Sequence, residues 1–395
     1  MLNFLIFSCF FLFVLSFDNG LGLKPQMGFN TWNKFQCDIH EQLARDTADV
    51  MIEKGLLKAG YEYLNLDDCW QIARDNVTKR IIEDPKAFPS GMKSLADYVH
   101  SKGLKFGLYS DAGELTCQRR PGSYGYEQID ADTYSEWGVD YLKYDNCFDL
   151  QIPPEHRYPL MAEAFKKTKR NMFLSMCEWG KNKPYEWGRL TGNSWRTTED
   201  IWDLWCNMMD RADENEPLWR YAGPGGWNDP DMLEVGNGGM TNEEYKVHFS
   251  LWCIMKAPLL IGCDITKASE ETFEILLNQE LIAINQDSLG VQGHRVWSNK
   301  YGNQYIDNDI KPGDYEVWSG PLIDGSFAVL LLNRSDEYKD IEITSIFKDC
   351  GMRENTTAYV RDLWKHEDLG IFTNEFTALV GRHSVVVLRV TPKLM

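Results

Sequence analysis

The chain has 395 residues, of which 43% are hydrophobic, 25% are charged and 13% are aromatic, and its formal net charge at pH 7 is −18. Its length exceeds that of one typical domain, and its composition is that of a folded globular protein rather than a disordered one. The strong negative charge repels nucleic acids and anionic lipids, so we expect neither class of partner.

The chain begins with an apolar run, residues 2–17, which gives way abruptly to Asp18-Asn19-Gly20. This run is shorter than the roughly 18 residues that a membrane-spanning helix needs. We interpret residues 1–17 as a secretory signal peptide, with a signal anchor as the alternative because no Lys or Arg precedes the run. Secretion, or delivery to a lysosome or vacuole, leaves no membrane attachment after cleavage. Three N-x-S/T sequons agree with this route: Asn76, Asn333 and Asn355.

Short apolar runs alternate with helix-like stretches from residue 18 to residue 290. Apolar spacing of i, i+3 and i+4 marks the helix-like stretches, for example 39–56 and 243–257. This alternation predicts a parallel sheet, and eight units match the size of a (β/α)₈ barrel. An open, doubly wound sheet is the alternative. The eight runs are 27–32, 63–68, 104–111, 139–145, 172–179, 194–200, 222–229 and 258–264.

Helical spacing stops in residues 291–395, where β-rich runs are separated by turn-forming residues. This pattern predicts a small antiparallel β-sandwich domain after the barrel. The predicted strands are 315–320, 326–333, 340–347, 357–364, 376–381 and 383–390.

The active site of a (β/α)₈ barrel lies at the C-terminal ends of its strands. Here those ends are rich in carboxylates, with one Lys, one Arg and two Trp, which suits a neutral sugar: carboxylates accept hydrogen bonds from hydroxyls and an indole stacks on the ring. Any single Asp could instead be a loop residue or a helix cap. No strand end has a His, and no CxxC or HExxH motif occurs. A metal site and a Ser–His–Asp hydrolase are therefore disfavoured.

Lys143 and Asp145 lie two residues apart on the fourth predicted strand and so face the same side. An ammonium group beside Asp145 would favour the ionised carboxylate that a nucleophile requires, although a structural salt bridge is the alternative. Asp200 ends the sixth run, and neighbouring carboxylates would raise its pKa, as suits a general acid.

Five ordered segments resemble glycoside hydrolase family 27, which contains the α-galactosidases (melibiases) and the α-N-acetylgalactosaminidases. The resemblance covers residues 21–290 and continues more faintly through the C-terminal strands. It is closest to the plant and fungal α-galactosidases. The segments are LGLKPQMGFNTWNKF (21–35), YLNLDDCW (63–70), YLKYDNC (141–147), WRTTEDI (195–201) and AGPGGWNDPDML (222–233).

The resemblance implies a retaining hydrolase without a cofactor, in which Asp145 is the nucleophile and Asp200 the general acid/base. It also implies disulfides Cys37–Cys69 and Cys117–Cys147. The substrate would be an α-galactoside, whose ring Trp32 would stack against. Further contacts to the sugar are implied for Asp67, Asp68, Tyr109, Lys143, Arg196 and Asp231.

The loop after the fifth strand should decide between galactose and N-acetylgalactosamine. Glu178 and Trp179 are large, so we expect them to exclude an acetamido group, with Glu178 bonded to a free 2-hydroxyl; Trp179 could instead only pack the loop. Cys177 is expected to be an unpaired thiol at the pocket, because Gly192 occupies the position of its partner in some relatives.

Three other functions stay open: an α-N-acetylgalactosaminidase, a galactose-binding protein without catalysis, and a transglycosylase. The sequence does not choose among raffinose-type sugars, galactomannan and glycolipid as the natural substrate, or between a monomer and a homodimer.

Overall fold

The computed structural model describes residues 17–306, 309–337 and 339–393. Apart from Phe17, the predicted signal peptide lies outside these residues. Within the described ranges, no helix is both long enough and apolar enough to cross a membrane.

Eight short parallel strands form the centre of the larger domain. Each strand pairs with the next from the first to the seventh, and the first also pairs with the eighth. The segment after the seventh strand closes the ring through two backbone hydrogen bonds to the eighth. Leu233 N donates to Leu260 O at 2.8 Å, and the Leu233 carbonyl accepts from Gly262 N at 3.0 Å. The predicted barrel is confirmed. Its strands are Met27–Asn30, Tyr63–Asn65, Lys105–Asp111, Tyr141–Asp145, Phe173–Met176, Ser194–Arg196, Trp227–Asp229 and Leu259–Ile261.

Helices surround the strands and bury their apolar faces against them. In the helix Glu41–Glu53 the buried positions include Ala44, Ala48 and Met51, which recur at the spacing of one helical face. The helix Asn242–Ile254 begins with a capping box formed by Thr241 and Glu244. The α-helices are Trp32–Phe35, Glu41–Glu53, Leu56–Ala59, Met92–Ser101, Glu127–Trp137, Pro154–Lys166, Pro184–Trp187, Trp205–Asn215, Asn242–Ile254, Glu270–Leu276 and Gln279–Asn285, and the 3₁₀ turns are Gly188–Leu190 and Glu216–Leu218.

The last helix of the barrel ends at Asn285 and the first strand of the sandwich begins at His294; the division at residue 290 stays a prediction. The second domain is a β-sandwich, as predicted. A six-stranded antiparallel sheet faces a two-stranded one across a separate apolar core. The six strands, in sheet order, are His294–Ser298, Tyr315–Pro321, Phe327–Asn333, Ser384–Pro392, Thr357–Asp362 and Glu367–Thr373; the other two are Asp340–Ile346 and Glu375–Gly381.

Four strands in the described part of the chain are absent from the predicted set. Gln71–Arg74 and Ile81–Glu83 form a hairpin between the second and third barrel strands. Glu367–Thr373 is the edge strand of the six-stranded sheet and is largely exposed. The first sandwich strand, His294–Ser298, was also absent from the predicted set.

A buried charge network joins the two domains. Arg295, which is 1% exposed, forms ion pairs with Asp213 at the end of a barrel helix and, at 2.9 Å, with Glu316 of the sandwich. Arg334 bridges the same two carboxylates, at 2.8 and 3.1 Å. The guanidinium groups therefore balance acidic side chains from both domains.

The three sequons differ in accessibility. Asn76 lies in the exposed turn of the hairpin, and Asn355 is also exposed. Asn333 is fully buried at the end of a sandwich strand, so a glycan on Asn333 is incompatible with this fold.

Candidate active site

A cleft of about 800 Å³ opens at the C-terminal ends of the barrel strands. Of the twelve residues predicted to act on substrate, ten line this cleft; Cys177 and Glu178 do not. The cleft therefore lies where the barrel fold places an active site. The ten are Trp32, Asp67, Asp68, Tyr109, Lys143, Asp145, Trp179, Arg196, Asp200 and Asp231.

Asp145 ends the fourth barrel strand and is only 5% exposed. Tyr109 donates its hydroxyl to Oδ2 at 2.9 Å, and the backbone N–H of Asn146 donates to Oδ1 at 2.9 Å. Burial raises the pKa of Asp145 to about 6, although the Lys143 ammonium and the bond from Tyr109 act in the opposite direction. Both carboxylate oxygens are thus held in position.

Lys143 pairs with Asp67 rather than directly with Asp145. Its ammonium lies 2.9 Å from Asp67 Oδ2, which also accepts a bond from Asn30 Nδ2 at 2.8 Å. The prediction of a Lys143–Asp145 pair was therefore only partly right: the two face one cleft, and Lys143 acts on Asp145 through its charge.

Asp68 is bound by backbone N–H groups, from Cys69 at 2.7 Å and from Gln118 at 2.9 Å. Burial raises its pKa. Cys69 is itself bonded to Cys37, and Gln118 follows Cys117, which is bonded to Cys147. Both disulfides are those that the resemblance implied. These bridges hold the loops around Asp68 in place.

Asp111, Asp145 and the sulfurs of Cys117 and Cys147 come together closely enough to hold a metal ion. The two sulfurs, however, form a disulfide, so neither is available as a thiolate. Asp111 is already bound by the backbone N–H groups of Gly113 and Cys147. This cluster therefore does not fit a metal.

Asp200 is in a different environment from Asp145. Its side chain is 59% exposed, and Oδ1 lies 3.1 Å from Nη2 of Arg196, a guanidinium that also contacts Asp231 at 2.9 Å. The walls of the cleft partly desolvate the Asp200 carboxyl, which opposes its ionisation. The positive charges of Arg196 and Lys143 outweigh this effect and lower the pKa of Asp200. The prediction of a raised pKa for Asp200 was wrong because Arg196, four residues earlier, compensates the nearby carboxylates.

The loop after the fifth strand differs from the prediction that Glu178 contacts the sugar. Glu178 is fully buried and turned away from the cleft, and its Oε2 accepts a bond from Asn182 N at 2.7 Å. Its carboxyl therefore braces the loop and does not reach a sugar hydroxyl; burial raises its pKa to about 7. Trp179 lines the cleft, with the Lys181 ammonium 4.6 Å from its ring centroid.

Cys177 is an unpaired, buried thiol in a small cavity beneath the cleft. Arg196 Nη1 lies 3.6 Å from its sulfur. The prediction of a free thiol is consistent with this position. Cys177 does not line the main cleft, however, and its sulfur contacts Arg196 instead.

The cleft extends beyond the predicted residues. Strand ends predict only the inner part of the cleft, whereas much of its outer wall comes from loops that follow the sixth and seventh strands. A Trp two positions after Asp200 was the available signal. The additional lining residues include Lys34, Trp202, Asp203, Met232, Glu234 and Asn237.

Comparison with known families agrees with this architecture. Residues 24–287 match the family described as Alpha galactosidase A, and residues 312–390 match the Alpha galactosidase C-terminal beta sandwich domain. The alpha-galactosidase of Cyamopsis tetragonoloba is 50% identical over 377 residues, which cover 95% of this chain and 88% of that protein. The alpha-galactosidase of Coffea arabica is also 50% identical, with 95% and 96% covered.

Solved structures show the same similarity. Alpha-galactosidase I from Mortierella vinacea has a TM-score of 0.88 and 39% identity, and the match covers 94% of this chain and 98% of that one. The alpha-galactosidase of Saccharomyces cerevisiae with raffinose has a TM-score of 0.88 and 32% identity, covering 96% and 99%. With its barrel, its carboxylate-lined cleft and its C-terminal sandwich, this chain belongs to the alpha-galactosidase family of glycoside hydrolases.

Proposed function

We propose that the protein hydrolyses terminal, non-reducing α-D-galactosyl residues with retention of configuration. The observation that supports this most strongly is the pair of unlike carboxylates in one cleft. Asp145 is buried with both oxygens held by donors, whereas Asp200 is exposed toward the cleft mouth. A fixed carboxylate suits attack on carbon, and an accessible one suits proton exchange with a leaving group and with water.

The reaction takes place in two displacements. In the first, an oxygen of Asp145 bonds to the anomeric carbon while the bond from that carbon to the leaving oxygen breaks, and Asp200 gives its proton to that oxygen. The galactosyl group is then β-linked to Asp145. In the second, Asp200 takes a proton from water, which attacks the anomeric carbon and releases α-galactose and the Asp145 carboxylate.

The environment of Asp200 changes during this cycle. In this structure the charge of Asp200 is balanced by Arg196. Substrate that covers the exposed carboxyl excludes water and raises its pKa, which favours the acid form. Formation of the ester removes the negative charge of Asp145, and with it a repulsion that had favoured protonation of Asp200. Asp200 is then the stronger acid and works as the base for water.

Binding of the galactosyl ring is assigned to the inner wall of the cleft. Trp32 is half-buried and supplies an aromatic face. The oxygens of Asp67 and Asp68 accept bonds from the hydroxyls farthest from the scissile bond, and Lys143 donates to a hydroxyl near Asp145. On the other side, Arg196 Nη2 lies 2.9 Å from Asp231 Oδ2, and this pair binds the galactosyl ring near its 2-position.

Raffinose-type oligosaccharides are the proposed substrates, supported by the similarity to the Saccharomyces cerevisiae enzyme with raffinose. Galactomannan and glycolipid are the alternatives. The apolar run at residues 2–17 and the exposed sequons at Asn76 and Asn355 support a secreted or lysosomal/vacuolar protein.

Hydrolysis of p-nitrophenyl α-galactoside, followed by proton NMR from the first seconds, tests the proposal. We expect α-galactose to form first and to mutarotate later, and Asp145→Asn to be inactive. p-Nitrophenyl α-N-acetylgalactosaminide serves as the control substrate and should be hydrolysed at least about 100-fold more slowly. β-Galactose as the first product would overturn the retaining mechanism.

A further inference from the structure

Trp202 stands out at the outer wall of the cleft. Its side chain is 65% exposed, although it lines the same cleft as Asp200, two residues earlier in the chain. Exposed aromatic surface beside a binding cleft is a common mark of a contact site. None of the contacts assigned to the galactosyl ring uses this indole.

The backbone around Trp202 is held firmly although its side chain is exposed. Trp202 N donates to Asn207 Oδ1 at 2.6 Å, and Leu204 N donates to the Trp202 carbonyl at 2.7 Å. On either side, Ile201 N is bonded to Asp231 and the Asp203 carboxylate to Tyr245, each at 2.9 Å. The indole is thus presented from a fixed backbone, which reduces the entropy cost of binding against it.

The cleft is larger than the galactosyl ring alone requires. At about 800 Å³ it falls in the range of pockets that bind ligands of several rings. The ring contacts proposed above occupy the inner part, toward Asp67 and Asp145. Trp202, Asp203 and Glu234 line the same cleft but take part in none of these ring contacts.

We propose that Trp202 stacks against the first sugar ring of the leaving group, and that the preferred substrates are therefore α-galactosides of neutral saccharides. This inference rests on the proposed function, in which Asp200 protonates the oxygen joining the two sugars. The indole offers an apolar face to the C–H groups of a pyranose. The Asp203 carboxylate repels an anionic leaving group.

Two substrates separate this role from catalysis itself. α-Galactosyl fluoride has no leaving-group sugar, whereas galactosyl-α-1,6-glucose has one. For Trp202→Ala we expect kcat/KM on the disaccharide to fall about tenfold and kcat/KM on the fluoride to stay within about twofold of the unmodified enzyme. Trp202→Phe keeps an aromatic face and should recover most of the loss.

Leu204→Ala is the matched control, because Leu204 is 54% exposed on the same segment but does not line the cleft. It should leave both substrates unaffected. An equal loss on both substrates in Trp202→Ala would assign Trp202 a structural role and overturn the proposal, as would no loss on the disaccharide. Failure of the unmodified enzyme to hydrolyse the fluoride would instead contradict the proposed function.

Discussion

The ammonium of Lys143 lies 2.9 Å from Asp67 and links the second and fourth strands of the barrel across the floor of the cleft. The side chains are 15% and 2% exposed, so each depends on the other for compensation of its charge. The same ammonium also favours ionisation of Asp145. One cation therefore acts on both Asp67, which we propose binds the sugar, and Asp145, the proposed nucleophile.

Replacing Lys143 should affect both groups. In Lys143→Met we expect a loss of stability of roughly 3–5 kcal/mol, because Asp67 is left buried without a partner. The pKa of Asp145 should rise further, since an opposite charge has been removed. Thermal unfolding and the pH profile of residual kcat/KM measure the two effects. Lys93→Met, which breaks an exposed pair with Asp97, is the control and should change neither.

The pH dependence of kcat/KM should be bell-shaped with an acidic maximum. The proposed mechanism needs one proton on the Asp145–Asp200 pair. Above a pH of about 6, the pKa of Asp145, the pair loses its last proton and no acid is left. Below the lowered pKa of Asp200, the pair holds two protons and no nucleophile is left. These values belong to the pair as a whole. A profile that stays flat to pH 9 would contradict this.

Asp145 and Asp200 should fail in different ways when they are replaced. Asp145→Asn cannot form the glycosyl-enzyme and should be inactive on every galactoside. Asp200→Ala should still react with dinitrophenyl α-galactoside, which needs no acid, and should accumulate the intermediate because the base is missing. Azide should then restore turnover and give α-galactosyl azide. Mass spectrometry should find the trapped sugar on Asp145; a β-azide from Asp200→Ala would overturn the roles.

Selection against an acetamido group should depend on Trp179 and not on Glu178. Trp179→Ala opens the cleft wall, so the ratio of α-N-acetylgalactosaminidase to α-galactosidase activity should rise at least about tenfold. Glu178→Ala removes the brace on Asn182 and should lower the unfolding temperature while this ratio stays the same. Kinetics on the two nitrophenyl glycosides, with thermal denaturation, distinguishes the variants. Parallel losses on both sugars in Trp179→Ala would mean that the loop is only structural.

The barrel could be predicted because its strands are buried on both faces and read as short apolar runs, such as 104–111. Edge elements lack that signal. The strand Glu367–Thr373 is mostly exposed and pairs on one side only, so nothing in its sequence required apolar residues. The hairpin Gln71–Arg74 with Ile81–Glu83 is too short for a periodic pattern.

The site could be predicted as a set of residues but not as a set of contacts. Strand ends converge in any barrel, which was enough to bring Asp67, Lys143 and Asp145 together. Whether Lys143 binds Asp67 or Asp145 depends on side-chain direction within the ring, which linear spacing does not contain. The same limit applies to Glu178, which is adjacent to Trp179 in sequence but faces the opposite way.

The charge network at Arg295 has a consequence for how this protein can be rearranged. A barrel cut off at residue 290 would lose both guanidinium groups that balance Asp213, and a sandwich taken alone would leave Arg295 without that carboxylate. The two halves should therefore melt in a single calorimetric transition. A chimaera that takes its sandwich from a relative must therefore keep an acidic residue at the position of Asp213 to balance the guanidinium groups.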